Sequence, residues 1–241
     1  GVATSVAGSP LNGAYSLRSA LGLRTVTATT TRAFQQGNAG YTGTVDTEVR
    51  QSSPTTTRGT ATQIETDNDP SSGHQWALVR FDNLFGPGAN QIPVGSTITA
   101  ATLTMNHYAD GNSKAVASLH RMLADWNGSS TWNSLAVSGT GIQFDNVEAR
   151  VTADASVSNL AISGAKVFSG SALAATVQGW ANGEPNRGWV IWQNQDNGWI
   201  MRSAEDGTLA NRPLLSVSYR APVETTSLTG NGVTIAVVDS G

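Results

Sequence analysis

Seven tryptophans and a scatter of arginines are the side chains best suited to hold a ligand. A Trp face stacks on the C–H face of a pyranose while its indole N–H donates a hydrogen bond. Trp189 and Trp192 lie three positions apart, which on one strand turns them to opposite faces, so that one of the two faces outward. Trp199 falls just past a turn-forming stretch and is placed to flank it. Arg187 and Arg202, with Arg80 and Arg212, have the forked geometry that grips a uronate carboxylate with two parallel hydrogen bonds. Each of these has a plainer reading. Trp126, Trp132 and Trp180 read as core by their burial preference. The arginines read more readily as internal ion pairs with Asp82, Glu205 or Asp206.

Asp67, Asn68 and Asp69 offer hard oxygen ligands for a structural Ca²⁺, the one ion the sequence suggests. The run lacks the periodic ligand spacing of an EF-hand, and a turn at Asp69-Pro70 accounts for it as well. No other cofactor is expected. His74, His107 and His120 are scattered without zinc-ligand spacing, the latter two as ordinary strand residues. With no Cys, disulfide and thiolate chemistry are excluded. No pair of carboxylates or imidazoles has a spacing that makes it a general acid and base. Asn127, Gly128 and Ser129 form a glycosylation sequon.

Composition narrows the classes further. Charged residues are 13 % of the 241, about half the usual share of roughly 25 %. The polar surface must therefore come from Thr, Ser, Asn, Gln and Gly, residues that suit short strands and tight turns. The net charge is −3 and no basic stripe exists, so a nucleic-acid partner is not expected. No apolar run approaches the ~20 residues of a membrane-spanning helix. The chain opens on Gly1 and shows no signal peptide, so it reads as processed or excised. Its Lys-poor, Ser/Thr/Asn-rich make-up points to an extracellular or cell-surface setting.

These side chains need a scaffold, and the sequence pattern supplies strands. Residues 74–82 alternate, with Trp76, Leu78 and Arg80 on one face and Ala77, Val79 and Phe81 on the other. Strands are also expected over 25–34, 97–108, 114–123, 145–153, 188–194, 198–204 and 213–219. Two hairpins are predicted: one at residues 109–112, the other at 195–198, where Asn197-Gly198 favours a tight turn. One helix starts at Ser171 as N-cap, buries Leu173, Val177 and Trp180 on one face, and stops at Gly183. Residues 14–23 fit a short helix or a strand equally. The expected architecture is an all-β, antiparallel, jelly-roll-like sandwich over residues 31–220, with one short helix and extended tails at 1–30 and 221–241.

Five segments in order strengthen this expectation. They are 34–67, with Tyr41, Thr42, Gly43, Asp46 and the turn Gly59-Thr60-Ala61; the strand pair at 76–105; the Trp-bearing loop ADWNGSSTWN (124–133); VQGWANGEPNRGWVIW (177–192); and 201–219 with its Arg, Glu and Arg-Pro. Together they resemble the DNRLRE domain, a secreted bacterial and archaeal β-sandwich similar to carbohydrate-binding modules of alginate-degrading enzymes. The resemblance implies a non-catalytic module for polysaccharide binding or surface adhesion. It covers about 190 residues, and the motif that names the family is not present verbatim.

Beyond it, GVTIAVVDSG (232–241) resembles the strand that carries the catalytic Asp of subtilisin-type proteases, which would make Asp239 that Asp. No His-Gly-Thr or Gly-Thr-Ser segment accompanies it, so no triad is expected in this chain. Two further readings stand beside the binding module. Residues 233–238, centred on Val233, Ile235 and Val237, form an apolar strand suited to completing the sheet of a second copy, which would build an extracellular filament. Alternatively, the chain is a fragment of a larger secreted subtilisin-like protease. The expected partners are a polysaccharide or other copies of the chain.

Overall fold

A computed structural model describes residues 28–111 and 114–222. Two antiparallel sheets face one another. The first, in the order β1-β11-β5-β10-β3, contains β1 (Thr29–Gln35), β11 (Leu214–Arg220), β5 (Thr97–Asp110), β10 (Trp199–Arg202) and β3 (Gln63–Thr66), and β8 (Ala165–Ser169) also pairs with β5. The second, in the order β2-β4-β9-β6-β7, contains β2 (Thr44–Arg50), β4 (Gln75–Phe81), β9 (Trp189–Gln193), β6 (Val116–Met122) and β7 (Ala149–Ser158). The expected all-β sandwich with one short helix is what these residues form.

Alternation along the strands explains the layering. On β4, Ala77, Val79 and Phe81 turn into the space between the sheets, joined by Trp189 and Ile191 of β9, Leu103 and Met105 of β5, and Leu215 and Val217 of β11. The single helix, α1 (Ser171–Ala181), adds Leu173, Val177 and Trp180 to that core. Ser171 is its first helical residue; Gly170 holds the cap position and no side chain caps the end. The stop is as expected: Gly183, at φ +97°, donates its N–H to the Trp180 carbonyl at 3.0 Å.

The other face of the second sheet is also covered. Trp76 and Leu78 of β4, Val49 of β2 and Val190 of β9 pack against Trp126, Trp132, Leu135 and Ile142. These last four come from the long connection between β6 and β7, residues 123–148, which lies over the sheet as a third layer. Arg80 fixes one end of it, donating to the Trp126 carbonyl at 2.6 Å with its guanidinium 5.0 Å from the Trp126 ring. Glu148, fully buried, fixes the other, accepting from the Ser138 N–H at 2.6 Å and the Gln143 N–H at 3.3 Å.

Neither predicted hairpin forms. β5 belongs to the first sheet and β6 to the second; β9 belongs to the second and β10 to the first. Both turn-like stretches are therefore crossings between sheets, and they meet. Gly111, at φ +84°, donates its N–H to the Gly198 carbonyl at 2.6 Å, and the Asn197 side chain donates to the Gly111 carbonyl at 2.7 Å. Turn chemistry marks a reversal of direction but does not say which sheet the next strand joins. The expected strand at 145–153 begins later, at Ala149, because Asp145 caps a local turn by accepting the Val147 N–H at 2.9 Å.

β2, β3 and β8 were not anticipated. In β2 the reason is visible: Val45 and Val49 face the third layer, while Asp46 and Glu48 alternate with them as buried acids. A strand carrying acids on a buried face breaks the apolar pattern that reveals strands. Asp46 accepts the Ala204 N–H at 2.7 Å, and Glu48 accepts the Glu65 N–H at 2.6 Å and pairs with Arg50.

Candidate functional site: an aromatic cleft over the second sheet

Because the third layer leaves part of the second sheet's outer face uncovered, an open cleft of about 420 Å³ remains beside it. That volume falls within the roughly 300–1,000 Å³ of small-ligand sites. Its floor is Trp76 and His74, from β4 and the turn before it, and Trp192 from β9. Its walls are Trp132, Thr140, Ile142, Gln143 and Phe144 from the third layer, Gln51 from the turn after β2, and Asn68 from the turn after β3.

The rings support one another. His74 stacks on Trp76 with centroids 5.4 Å apart and planes 10° from parallel. Phe144 meets Trp76 edge-on at 5.6 Å and Trp192 at 6.3 Å. His120 lies at the side of this cluster, 4.7 Å from Phe144 and 6.3 Å from Trp192. The His120 ring is held by the Arg150 carbonyl, 2.9 Å from Nδ1, and burial keeps its pKa below the ordinary histidine value. It serves as a packing group at the side of the cluster. Gly141, at φ +68°, allows the Trp132 ring to sit against the backbone, since a Cβ there would lie 2.3 Å from the ring. Trp192 and Phe144 remain half-exposed, and Gln51 and Thr140 are exposed at the rim.

Of the expected sugar-contacting residues, the structure places Trp192 alone in this cleft. Trp189 does turn to the opposite face, as its spacing requires, but that face is the inter-sheet core. It is fully buried, 4.7 Å from Trp180, with its indole N–H donated to Asp154 at 2.8 Å. Trp199 is equally buried, donating to His107 Nδ1 at 3.2 Å. Neither can meet a ligand: inward alternation on short strands places both in the core. Trp126, Trp132 and Trp180 are buried as expected, though an edge of Trp132 reaches the cleft.

Of the arginines, Arg80 and Arg202 form the expected ion pairs with Asp82 and Asp206, whereas Arg187 and Arg212 find other partners. Arg187 donates to Asp125 at 2.7 Å, Arg80 to Asp82 at 2.7 Å, and Arg202 to Asp206 at 2.9 Å while lying 4.1 Å over the Tyr108 ring. Arg212 donates to the Asp206 and Gln36 carbonyls. Neither Arg187 nor Arg202 lines the cleft.

Asp67 and Asp69 lie near its rim. Asp69 accepts from the hydroxyls of Ser71 and Ser72 and the Ser71 N–H, all at 2.7 Å, which holds its pKa down to about 2. It thus caps the turn that the Asp-Pro step suggested. Asp67 is pushed the other way by burial and by the carboxylates of Asp69 and Asp196. Among the described residues, no group of three or more His, Asp or Glu is placed to hold a metal ion. Asp239 and the segment with Val233, Ile235 and Val237 lie outside the described residues. No described helix is long and apolar enough to cross a membrane.

Trp76 entered only as one of the seven tryptophans, Phe144, His74 and Gln51 were not anticipated, and Asn68 was expected only as a Ca²⁺ ligand. A signal was present in the first two. Trp76 and Leu78 sit on the outward face of a strand whose inward face is already apolar, so a covering layer was required, and Phe144 lies in the long connection 123–148 that supplies it.

A second hollow, about 360 Å³, lies at the β2–β3 edge among Glu48, Arg50, Arg58 and Glu65. Its charges neutralise one another: Arg50 pairs with both Glu48 and Glu65, and Arg58 with Glu48 at 3.5 Å. That arrangement ties the strands together and offers no free charge to a ligand.

No family model matches the sequence, and no curated protein matches it.

Proposed function

We propose that the chain is an extracellular, non-catalytic module that binds carbohydrate through the cleft over the second sheet. The observation that carries this reading is the half-exposed Trp192 beside Trp76 and Phe144, ringed by the amides of Gln51, Asn68 and Gln143. A pyranose has two apolar C–H faces and an equatorial rim of hydroxyls. An aromatic floor with amide walls matches both, since amides donate and accept in one side chain. The lining contains one titratable side chain, His74, and so lacks the paired acid and base that glycoside cleavage uses. The low-charge, Lys-poor composition and the ordered segments that resemble the DNRLRE domain support the same reading.

Affinity electrophoresis through gels containing single polysaccharides tests it. The wild-type chain is expected to be retarded by at least one polymer, and Trp192→Ala to run as in the empty gel. Retardation that survives the loss of Trp192 would place any binding elsewhere on the molecule.

A further inference from the structure

We propose that the cleft selects neutral hexose polymers and discriminates against polyuronates. The inference rests on the carbohydrate-binding reading and adds the class of sugar.

The argument is electrostatic. The ten lining residues include no Arg, Lys, Asp or Glu. A uronate carboxylate entering the cleft would give up water and find no cation in exchange, which disfavours it. The arginines expected to meet it are occupied elsewhere, Arg187 by Asp125 and Arg202 by Asp206. The rim is acidic. Asp69 and Asp196 lie close enough to act on Asp67, which also feels His74 in the floor. Asp145, next in sequence to the wall residue Phe144, is exposed. A polyanion lying along the cleft would pass the carboxylates beside Asn68 and His74, and over such short separations screening at physiological salt is incomplete. A neutral chain meets no such penalty. Its hydroxyls can be matched by the side chains of Gln51, Asn68, Thr140 and Gln143, and its C–H faces by Trp192 and Phe144.

The test measures retention of the full chain on neutral glucans, mannans and galactans against alginate and pectate. Each is run at 20 mM and 200 mM NaCl, with EDTA and with added Ca²⁺. Wild type and Trp192→Ala are compared with Asp196→Asn, which removes one rim charge from an exposed position. At least one neutral polymer is expected to retain the wild type with a dissociation constant at least tenfold below that of either polyuronate. That retention should be insensitive to salt and lost in Trp192→Ala. Asp196→Asn should leave neutral retention unchanged and strengthen polyuronate retention several-fold at low salt.

Polyuronate retention that equals or exceeds the neutral kind, and that Trp192→Ala abolishes, would overturn the selectivity while leaving the cleft as the binding site. Polyuronate retention appearing only with Ca²⁺ would overturn it too, by making the acidic rim a cation bridge. Retention of no polymer, or retention indifferent to Trp192, would remove the binding reading and the selectivity with it.

Discussion

The two faces of the second sheet are both apolar, yet they are covered in different ways. On the inner face, strands meet strands. Phe81, Trp189, Ile191, Leu103 and Leu215 are held by ladders on both sides of the core, and all are fully buried. On the outer face, one irregular connection supplies Trp126, Trp132, Leu135 and Ile142, anchored by a few polar contacts. A ladder closes a surface continuously, whereas a connection closes only what its anchors reach. The gap it leaves is the cleft. Stability and the proposed recognition thus fall on opposite sides of the same five strands, and substitutions on the two sides should have different signatures.

The largest effect is expected on the inner side. Trp189→Ala removes a fully buried indole and also leaves Asp154, itself buried, without its N–H donor. A Trp-to-Ala change in a core costs about 3–5 kcal/mol. In urea titrations the whole sandwich should lose stability of that order, with all probes moving together.

On the outer side, Glu148→Ala should behave differently. It orphans the N–H groups of Ser138 and Gln143 and releases the end of the third layer that carries Phe144. The expected cost is about 2 kcal/mol, the scale of unsatisfied buried groups. Its signature is local: amides of residues 136–147 should exchange by opening events that leave the inner strands protected. Equal exchange across both faces would mean that the third layer and the sandwich are one cooperative unit.

Asp46 probes the border between the two arrangements, and its expected effect has the opposite sign. Burial and then the Glu205 carboxylate raise its pKa well above the ordinary carboxylate range. The folded chain therefore holds this proton more tightly than the unfolded chain does. Stability contributed by Asp46 is complete below the ordinary carboxylate pKa and is lost as pH rises through the raised folded value. Asp46→Asn keeps an acceptor for the Ala204 N–H and has no proton to lose. Thermal melts should show the variant matching the wild type in acid and exceeding it at neutral and alkaline pH. A constant difference at every pH would mean that the Asp46 proton is not linked to folding.

The inner face was legible in the sequence because its signal is periodic. Alternation at 74–82 fixed which side of β4 each residue takes, and the i, i+4, i+7 spacing of Leu173, Val177 and Trp180 fixed the buried face of α1. The outer face was not, because a connection has no period. Asn197-Gly198 announced a turn, but the partner of that turn is Gly111, 86 positions earlier, and only the folded chain brings them together. Among the site residues, spacing alone correctly separated Trp189 from Trp192 onto opposite faces. It carried no information on which face is solvent, since that depends on where residues 123–148 run.

The smallest expected effect tests whether a residue's place in a suggestive segment counts for less than its surroundings. Arg187 precedes Trp189 in the segment that pointed to sugar contact, but its guanidinium reaches Asp125, whose side chain is 88 % exposed. Its carbonyl, rather than its side chain, holds the Trp126 indole N–H at 2.6 Å. Arg187→Ala keeps that carbonyl and loses one surface ion pair, a change of about 0.5 kcal/mol or less. Polysaccharide retention should equal that of the wild type under conditions in which Trp192→Ala abolishes it. A loss of retention in Arg187→Ala at unchanged stability would move the binding surface from the cleft to the end of the third layer near Asp125 and Trp126, and with it the division of labour between the two faces of the sheet.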